Sequence, residues 1–221
     1  ERLMSRVMYG NANARDLLSI RNVLDLIDPI IELLNNSKSN ILNKLNDEID
    51  PLTDIKRMID NAVIDDPPAT VKEGGIIKEG FNEKLDELKK MTKEGKEWIN
   101  SLEEKEKSKT GIGKLKVGYN KVHGYYIEVP KSKSESVPEY YSRKQTLKNS
   151  ERYYTDELKD KEEEIISAEE KMEALEYEIF CEIRDKVGEQ SDRFQRTAEA
   201  ISKLDVISTL AEIAVKNNFN R

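Results

Sequence analysis

The chain has 221 residues, of which 37% are hydrophobic and 37% charged; its formal net charge is -7 at pH 7 and its mean hydropathy is -0.74. This length allows one large domain or two small ones, and the polar composition is typical of long helices with a narrow apolar stripe. The single cysteine, Cys181, excludes an internal disulfide framework and a cysteine-only zinc site, and no apolar run reaches the roughly 18 residues that cross a bilayer.

The first predicted helix covers about 13–34, where apolar residues recur every three or four positions. Asn13 or Asn11 is expected to cap it, because a short polar side chain there accepts a hydrogen bond from the unpaired backbone N–H groups of the first turn. Pro29 is expected to interrupt it, since proline cannot donate to the helical hydrogen bonds. A second, short helix is predicted near 41–45.

A third helix is predicted from Asp50-Pro51 to about Val63. Aspartate is a favoured capping residue, and proline is tolerated in the first helical position, where no N–H is needed. Pro67-Pro68 marks the stop after this helix, and Gly74-Gly75 followed by isoleucines predicts a small turn or hairpin before the next element.

Two longer stretches carry mostly apolar residues in steps of four and three, which alternate throughout the first stretch and nearly throughout the second; these are the a and d positions of heptads. The first covers 81–102 and the second 158–183, and this regular spacing argues against a disordered chain. We expect two helices of about 40 Å that pair antiparallel and hold whatever lies between them at the end of a rod. A last helix is predicted over 191–215. The heptad positions are Phe81, Leu85, Leu88, Thr92, Gly95, Ile99 and Leu102, then Leu158, Lys161, Ile165, Ala168, Met172, Leu175, Ile179 and Ile183.

The segment between these helices has the composition of β-strands. Residues 115–119 and 125–129 are rich in β-branched and aromatic side chains, with a turn between them, and 145–148 with 152–155 predict a second hairpin. We therefore predict a mainly α fold. It consists of a long, coiled-coil-like antiparallel helical lever with a small antiparallel β-sheet of about four strands inserted at its tip.

The composition divides the chain into helices over 1–109, a β-rich insertion over 110–155 and returning helices over 156–221. Charge follows this division. Between Lys105 and Arg152 there are 12 Lys and Arg against 5 Asp and Glu, whereas the rest of the chain has 25 against 39. An acidic body with one basic segment favours a localised contact with a polyanion.

Three basic stretches of the insertion are candidate phosphate-binding sites. They lie after the second strand, before the third strand and in the turn that follows it: Lys131, Ser132 and Lys133; Arg143 and Lys144; Lys148 and Asn149. Lysine and arginine reach phosphate oxygens, and serine and asparagine add hydrogen bonds without reading bases. Alternatively, the lysines keep a small sheet soluble and protect its edges while its tyrosines serve for packing. The pattern alone leaves both open.

Catalysis has little support in the sequence. The single histidine, His123, is expected in a turn without a cysteine or serine partner. Thr110 to Lys114 is similar to part of a phosphate-binding loop, but Ser108 stands where that motif needs glycine and Leu115 where it needs serine or threonine. We predict no catalytic, cofactor or metal site in this chain.

Several motifs, in one order along the chain, resemble those of the MutS family of mismatch-repair proteins. The motifs similar to the family's clamp are 115–120 with 122–127, and 143–153; those similar to its lever are 9–17, 67–80 and 204–211. The resemblance covers nearly the whole chain. It includes neither the family's mismatch-reading domain nor its ATPase, so we expect a fragment of a longer protein.

The resemblance implies a division of labour. In such proteins a lever connects an ATPase domain to the clamp, and two clamps of a homodimer close over duplex DNA and touch its backbone, while an N-terminal domain inserts a phenylalanine at the mismatch. ATP and Mg would then bind outside this chain, a MutL-type protein would be a partner, and the location would be cytoplasmic. DNA contact carries over to the basic stretches above and to Lys159, at the start of the returning helix.

These observations lead to two hypotheses of function. The first is non-sequence-specific binding of the duplex DNA backbone by the clamp, with mechanical coupling through the lever. The second is a coiled-coil protein-interaction module without DNA binding, which predicts self-association through the heptad positions. A nuclease is disfavoured, because no cluster of metal ligands is apparent.

Overall fold

The computed structural model describes residues 1–71 and 74–219. Their contacts divide the chain into two units. The first unit holds the residues up to Phe81 and those from Glu176 onward, and the second is Asn82–Leu175.

Helices dominate both units, and the second adds a four-stranded antiparallel sheet. The predicted fold class, mainly helical with a small antiparallel sheet, is thereby confirmed. The assignment of 1–109 and 156–221 to a lever and of 110–155 to a clamp stays a prediction.

Several short helices, one long helix and the end of another long helix build the first unit. They are α1 (Arg2–Met8), α2 (Ala14–Leu24), α3 (Ile27–Asn35), α4 (Asn40–Glu48), α5 (Thr53–Ala62), the last part of α7 (Asp156–Gly188) and α8 (Ser191–Lys216). α2 packs against α5, α4 against α8, and α1 against both α2 and α8. Leu17 and Ile59, on the facing helices α2 and α5, are fully buried.

The start of α2 agrees with the sequence prediction. The Asn13 side chain accepts a hydrogen bond from the Asp16 N–H (2.9 Å), and the Asp16 carboxylate accepts one from the Asn13 N–H (2.9 Å), which completes a capping box. The first predicted helix is two helices, because the chain turns at Asp25. Pro29 follows this turn and lies in the first turn of α3, where a missing N–H leaves no hydrogen bond unmade.

The predicted start of α5 is wrong. The helix begins at Thr53, and the residue before it is Leu52, which is fully buried with a left-handed backbone (φ 47°). Asp50 instead accepts a hydrogen bond from the Leu52 N–H (2.8 Å) and pairs with Arg193 of α8 (2.7 Å). A partner 143 residues away in sequence therefore takes the carboxylate that local reasoning assigned to the helix cap.

The predicted turn at Gly74-Gly75 brings the chain back beside the end of α5. Ile77 forms an antiparallel bridge with Val63. The buried carboxylate of Glu176, in α7, accepts hydrogen bonds from the N–H groups of Gly75 and of Ile77, the latter at 3.2 Å. One side chain thus satisfies two backbone donors, which would be costly to bury unpaired.

The second unit pairs α6 (Glu83–Thr110) with the first part of α7. The direction is antiparallel, as expected, because contacts from later residues of α6 reach earlier residues of α7. These contacts are Gly95 with Ile165, Lys96 with Glu169 (2.7 Å) and Lys105 with Glu157 (3.3 Å). Eight of the predicted heptad positions in this unit are buried: Leu85, Thr92, Gly95, Ile99, Leu102, Leu158, Ile165 and Ala168.

Four strands form the sheet between α6 and α7. They are β1 (Lys116–Asn120), β2 (Gly124–Pro130), β3 (Ser142–Thr146) and β4 (Ser150–Tyr154). The order is β1-β2-β4-β3, and each neighbouring pair is antiparallel. A 3-10 helix (Lys131–Ser136) begins the connection from β2 to β3.

The third strand begins earlier than predicted. Arg143 and Lys144 lie within β3 rather than before it, and 147–149 form the turn to β4. A register shift between Arg143 and Gln145 marks a bulge. The prediction depended on β-branched and aromatic residues, and the first three residues of β3 are serine, arginine and lysine, so its start was missed.

The inner face of the sheet packs on the helix pair. Ile127 and Val129 of β2 and Tyr153 of β4 are buried in one cluster with Leu102 of α6 and Leu158 of α7. Burying one large apolar side chain contributes about 1.5–3 kcal/mol. This cluster therefore holds the sheet firmly against the two helices.

The last helix, α8, matches its predicted range within one residue, but its second half is not covered by the described residues. Thr197 and Ala200 are buried, whereas Val206, Leu210 and Ala211 are exposed. No helix in the described part of the chain is long and apolar enough to cross a membrane.

Candidate nucleic-acid interface

Carboxylates of the two long helices hold the sheet through its backbone. Glu103 of α6 accepts a hydrogen bond from the N–H of Val117 in β1 (3.0 Å), and Glu162 of α7 accepts one from the N–H of Tyr125 in β2 (3.0 Å). A hydrogen bond from Lys107, and then the one from Val117, lower the pKa of Glu103. Polar bonds and the apolar core together determine where the loops of the sheet lie.

The tyrosines of the sheet pack against its own residues. On the outer face, the Tyr126 ring lies between Gly118, where a Cβ would meet it at 2.8 Å, and the guanidinium of Arg152, whose Cζ is 4.0 Å from the ring centroid. On the inner face, Tyr153 is buried and donates a hydrogen bond to Glu151, and burial raises the pKa of its hydroxyl. Of the two interpretations of these tyrosines, these contacts favour packing.

Two of the three predicted basic stretches meet at one end of the sheet. The 3-10 helix that follows β2 carries Lys131, Ser132 and Lys133, all exposed. The N–H of Lys131 donates to the carbonyl of Asn149 (3.0 Å), in the turn between β3 and β4 that also holds Lys148. The 3-10 helix and the turn are thereby adjacent, and both of the turn's polar side chains are exposed.

The lysines at this end lack ion-pair partners. Within residues 1–71 and 74–219, Lys131, Lys133 and Lys148 form no ion pair. Their ammonium groups are therefore solvated and accessible to an anion from outside the chain.

The remaining candidate residues lie elsewhere and have protein partners. Arg143 and Lys144 are near the other end of the sheet, where β3 begins. Arg143 pairs with the buried carboxylate of Glu151 (3.2 Å), and Lys144 donates to the carbonyl of Tyr125 (3.2 Å). Lys159, in the first turn of α7, pairs with a glutamate one turn further along the helix (3.7 Å). The structure therefore does not bring these three together with the exposed lysines above.

Sequence reasoning missed two further lysines. β1 begins beside the end of β2, as the pairing of Lys116 with Glu128 shows. Lys114 and Lys116 are exposed and form no ion pair in the part of the chain described. The alternation of Lys116 with Val117 was the available signal, since successive strand residues point to opposite faces. These residues together are called the lysine surface: Lys114, Lys116, Lys131, Lys133 and Lys148.

The segment that is similar to a phosphate-binding loop is the end of a helix. Thr110 is the last residue of α6, and Gly111 caps it with a left-handed backbone (φ 69°). A helix C-terminus carries a partial negative charge and presents carbonyl groups, so it disfavours phosphate. His123 is exposed in the turn between β1 and β2. Among the described residues, no three or more His, Cys, Asp or Glu side chains are grouped so that they could hold a metal ion.

Comparison with known proteins shows which proteins the sequence is similar to. Residues 80–171 match the family model described as MutS family domain IV. The chain is 49% identical over 219 residues to the DNA mismatch repair protein MutS of Acetivibrio thermocellus, and 49% identical over 221 residues to that of Caldicellulosiruptor saccharolyticus. It is 48% identical over 225 residues to that of Methanococcoides burtonii. These matches cover 99–100% of the chain and 25–26% of each relative, so the chain spans about a quarter of their length.

Proposed function

Because the chain belongs to the MutS family, whose domain IV it contains, we propose that it binds the backbone of duplex DNA without sequence specificity through the lysine surface. The observation that carries this proposal is the meeting of exposed, unpaired Lys131, Lys133 and Lys148 beside the hydrogen bond between Lys131 and Asn149. The chain as a whole is negatively charged, so the attraction of DNA is local to this surface.

The chemistry of these residues suits backbone binding. A lysine ammonium is a compact charge on a flexible stem, and it neutralises a phosphate and releases condensed counterions whatever the base sequence. Ser132 and Asn149, both exposed, supply neutral hydrogen bonds to phosphate oxygens, which set the position of the protein on the duplex. Such contacts give affinity without base readout.

The other candidate residues contribute less in this proposal. The guanidinium of Arg143 uses one side for Glu151, but its side chain is 61% exposed and retains further donors. An exposed ion pair one helical turn apart, such as that of Lys159, is worth only about 0.3–0.5 kcal/mol, so a phosphate replaces the glutamate easily. Lys144 donates to a backbone carbonyl, and it is the weakest candidate for DNA contact among these three residues.

A triple variant, Lys131→Gln with Lys133→Gln and Lys148→Gln, tests the proposal. Each lysine that neutralises one phosphate contributes about 0.9 to the slope of log K against log salt concentration. The slope should therefore become shallower by about 2.7, and binding at low salt should weaken strongly. Fluorescence anisotropy of a labelled duplex over a series of salt concentrations measures both quantities.

The matched control replaces Lys84, Lys93 and Lys171 by glutamine. These lysines are exposed on α6 and α7, and their replacement changes the net charge by the same amount. The control variant should bind DNA as the wild type does. An equal loss in both variants would mean that only net charge matters, and unchanged binding by the first variant would remove its three lysines from the interface.

The burial of the heptad positions disfavours the alternative interaction module. Leu85, Ile99 and Leu102 of α6 are almost fully buried by the chain itself. They are therefore not accessible to the helix of another protein, which that hypothesis requires.

For the longer protein, the proposal takes over what the family resemblance implies. Residues 1–109 and 156–221 act as a lever and 110–155 as a clamp in DNA mismatch repair. ATP and Mg bind in an ATPase domain outside this chain, and the cytoplasmic protein works as a homodimer with a MutL-type partner. The support is the domain IV match and the identity to MutS proteins along the whole chain. This chain contributes DNA contact and coupling rather than catalysis.

A further inference from the structure

A buried glutamate of α6 contacts the residues that lead into β3. Glu106 is 2% exposed, and its Oε2 accepts hydrogen bonds from the hydroxyl groups of Tyr140 (3.0 Å) and Tyr141 (2.9 Å), while its Oε1 pairs with Lys109 (3.1 Å). Burial, and next the Glu106 carboxylate, raise the pKa of both tyrosines. Four side chains therefore form one hydrogen-bonded group.

This group holds one end of the connection between β2 and β3. The connection runs over 131–141 and includes the 3-10 helix with Lys131 and Lys133. Its first N–H is bonded to the carbonyl of Asn149, Val137 in its middle packs against the apolar cluster, and its two final tyrosines bind Glu106. Glu106 is thus the attachment at the far end, as Asn149 is at the near end.

Stability alone does not account for a carboxylate at this position. Glu106 follows Leu102 by four residues, so it occupies the next a or d position of the heptads, where an apolar residue is usual. A buried ion pair is often no more stabilising than an apolar side chain of similar size, because desolvation offsets the attraction between the charges. Unlike an apolar side chain, the carboxylate fixes the orientation of two consecutive tyrosines, because one of its oxygens accepts hydrogen bonds from both hydroxyl groups.

We propose that Glu106 is a positioning residue that, through Tyr140 and Tyr141, holds the connection 131–141 in the conformation that presents Lys131 and Lys133 to DNA phosphates. This role rests on the proposed DNA binding and adds to it a residue that does not itself touch DNA.

The test compares Glu106→Ala with Glu104→Ala, which changes an exposed glutamate of the same helix. Both substitutions raise the net charge by one unit, which by itself strengthens DNA binding. We expect Glu106→Ala to weaken DNA binding. The slope of log K against log salt concentration should become shallower by up to about 1.8, which is the contribution of two lysines that each neutralise one phosphate. Glu104→Ala should bind as the wild type or slightly more tightly. Glu106→Gln, which keeps a carbonyl acceptor for the tyrosines, should recover part of the loss.

A double-mutant cycle separates positioning from a general loosening of the fold. In the Glu106→Ala background, Lys131→Gln with Lys133→Gln should cause little further loss, because those lysines no longer meet phosphate. Lys148→Gln should cause its full loss in the same background. Additive losses in both cases would overturn the positioning role.

Folding is checked by thermal melts and by hydrogen exchange. The amides of 131–141 should exchange faster in Glu106→Ala, and those of β1 and β2 should not. If that variant does not fold, Tyr140→Phe with Tyr141→Phe, which removes only the hydroxyl groups, replaces it in the cycle. A wild type that does not bind duplex DNA overturns the proposed function and this role together. A wild type that binds, with Glu106→Ala unchanged in affinity and slope, overturns this role alone.

Discussion

At the scale of single residues, Arg193 joins parts of the first unit that are far apart in sequence. Its guanidinium donates to the carboxylate of Asp50 (2.7 and 3.1 Å) and to that of Asp54 (2.8 and 2.9 Å). A planar guanidinium has the fork of donors that such paired bonds need. The bonds lower the pKa of both carboxyls, although partial burial acts in the opposite direction.

Arg193→Gln should therefore reduce the acid sensitivity of folding. A carboxyl whose pKa is lower in the folded than in the unfolded state stabilises the fold above about pH 4, and this stabilisation is lost as the pH falls through the lowered folded value. Without Arg193, the pKa values of Asp50 and Asp54 return toward the ordinary range. The variant should be less stable at neutral pH, and its Tm should fall less than that of the wild type between about pH 7 and about pH 3.

Thermal melts across that pH range measure the difference. Arg196→Gln is the control, since Arg196 lies on the same helix but donates to the backbone carbonyl of Asp192 (3.4 Å). The same acid dependence in both variants would contradict the role assigned to Arg193.

At the scale of elements, the hairpin of β1 and β2 depends on its contact with α7. Gly124, the first residue of β2, has φ 70°, a conformation that residues with a Cβ rarely adopt. A Cβ there would also overlap the carboxylate of Glu162, which accepts the hydrogen bond from the N–H of Tyr125. Backbone conformation and helix contact therefore both require glycine at this point.

Gly124→Ala should lower the free energy of unfolding by about 1–3 kcal/mol, the cost of a left-handed non-glycine residue together with the displaced Glu162. Urea unfolding followed by circular dichroism measures the change. Gly113→Ala is the matched control, because Gly113 does not have a positive φ and no atom lies within 4 Å of its added Cβ. Equal stability of the two variants would contradict the requirement for glycine at position 124.

At the scale of the whole chain, one helix belongs to both units. The residues of α7 before Glu176 lie in the second unit, and those from Glu176 onward lie in the first. The mechanical coupling proposed above is therefore assigned to this helix, whose residues belong to both units.

The chain by itself should bind matched and mismatched duplexes with nearly equal affinity. Its proposed contacts are to phosphates, and such contacts carry no sequence information. Competition between matched and single-mismatch duplexes in the anisotropy assay measures the ratio of the two affinities. We expect the affinities to agree within about twofold, because a specific base contact is worth about 1–3 kcal/mol and none is proposed for this chain. A preference of more than about tenfold would require base readout by this chain.

Local features of the sequence determined most of the elements. The capping box at Asn13, the heptads and the hairpin of β1 and β2 follow from interactions between residues close in sequence, so their patterns can be read without knowing the fold. The proposed type of site also has its basis in the sequence, because the basic residues are concentrated in one segment of an otherwise acidic chain.

The tertiary structure alone decided which of those residues lie together. Lys131 and Lys148 become neighbours only when β2 pairs with β4, and the pairing of β3 with β4 brings Arg143 to Glu151. Likewise, Glu106 looks like one more charge on a polar helix until the tyrosines that precede β3 reach it. These contacts join residues far apart in sequence, and a sequence pattern specifies the faces of its elements but not which distant side chains those faces will meet.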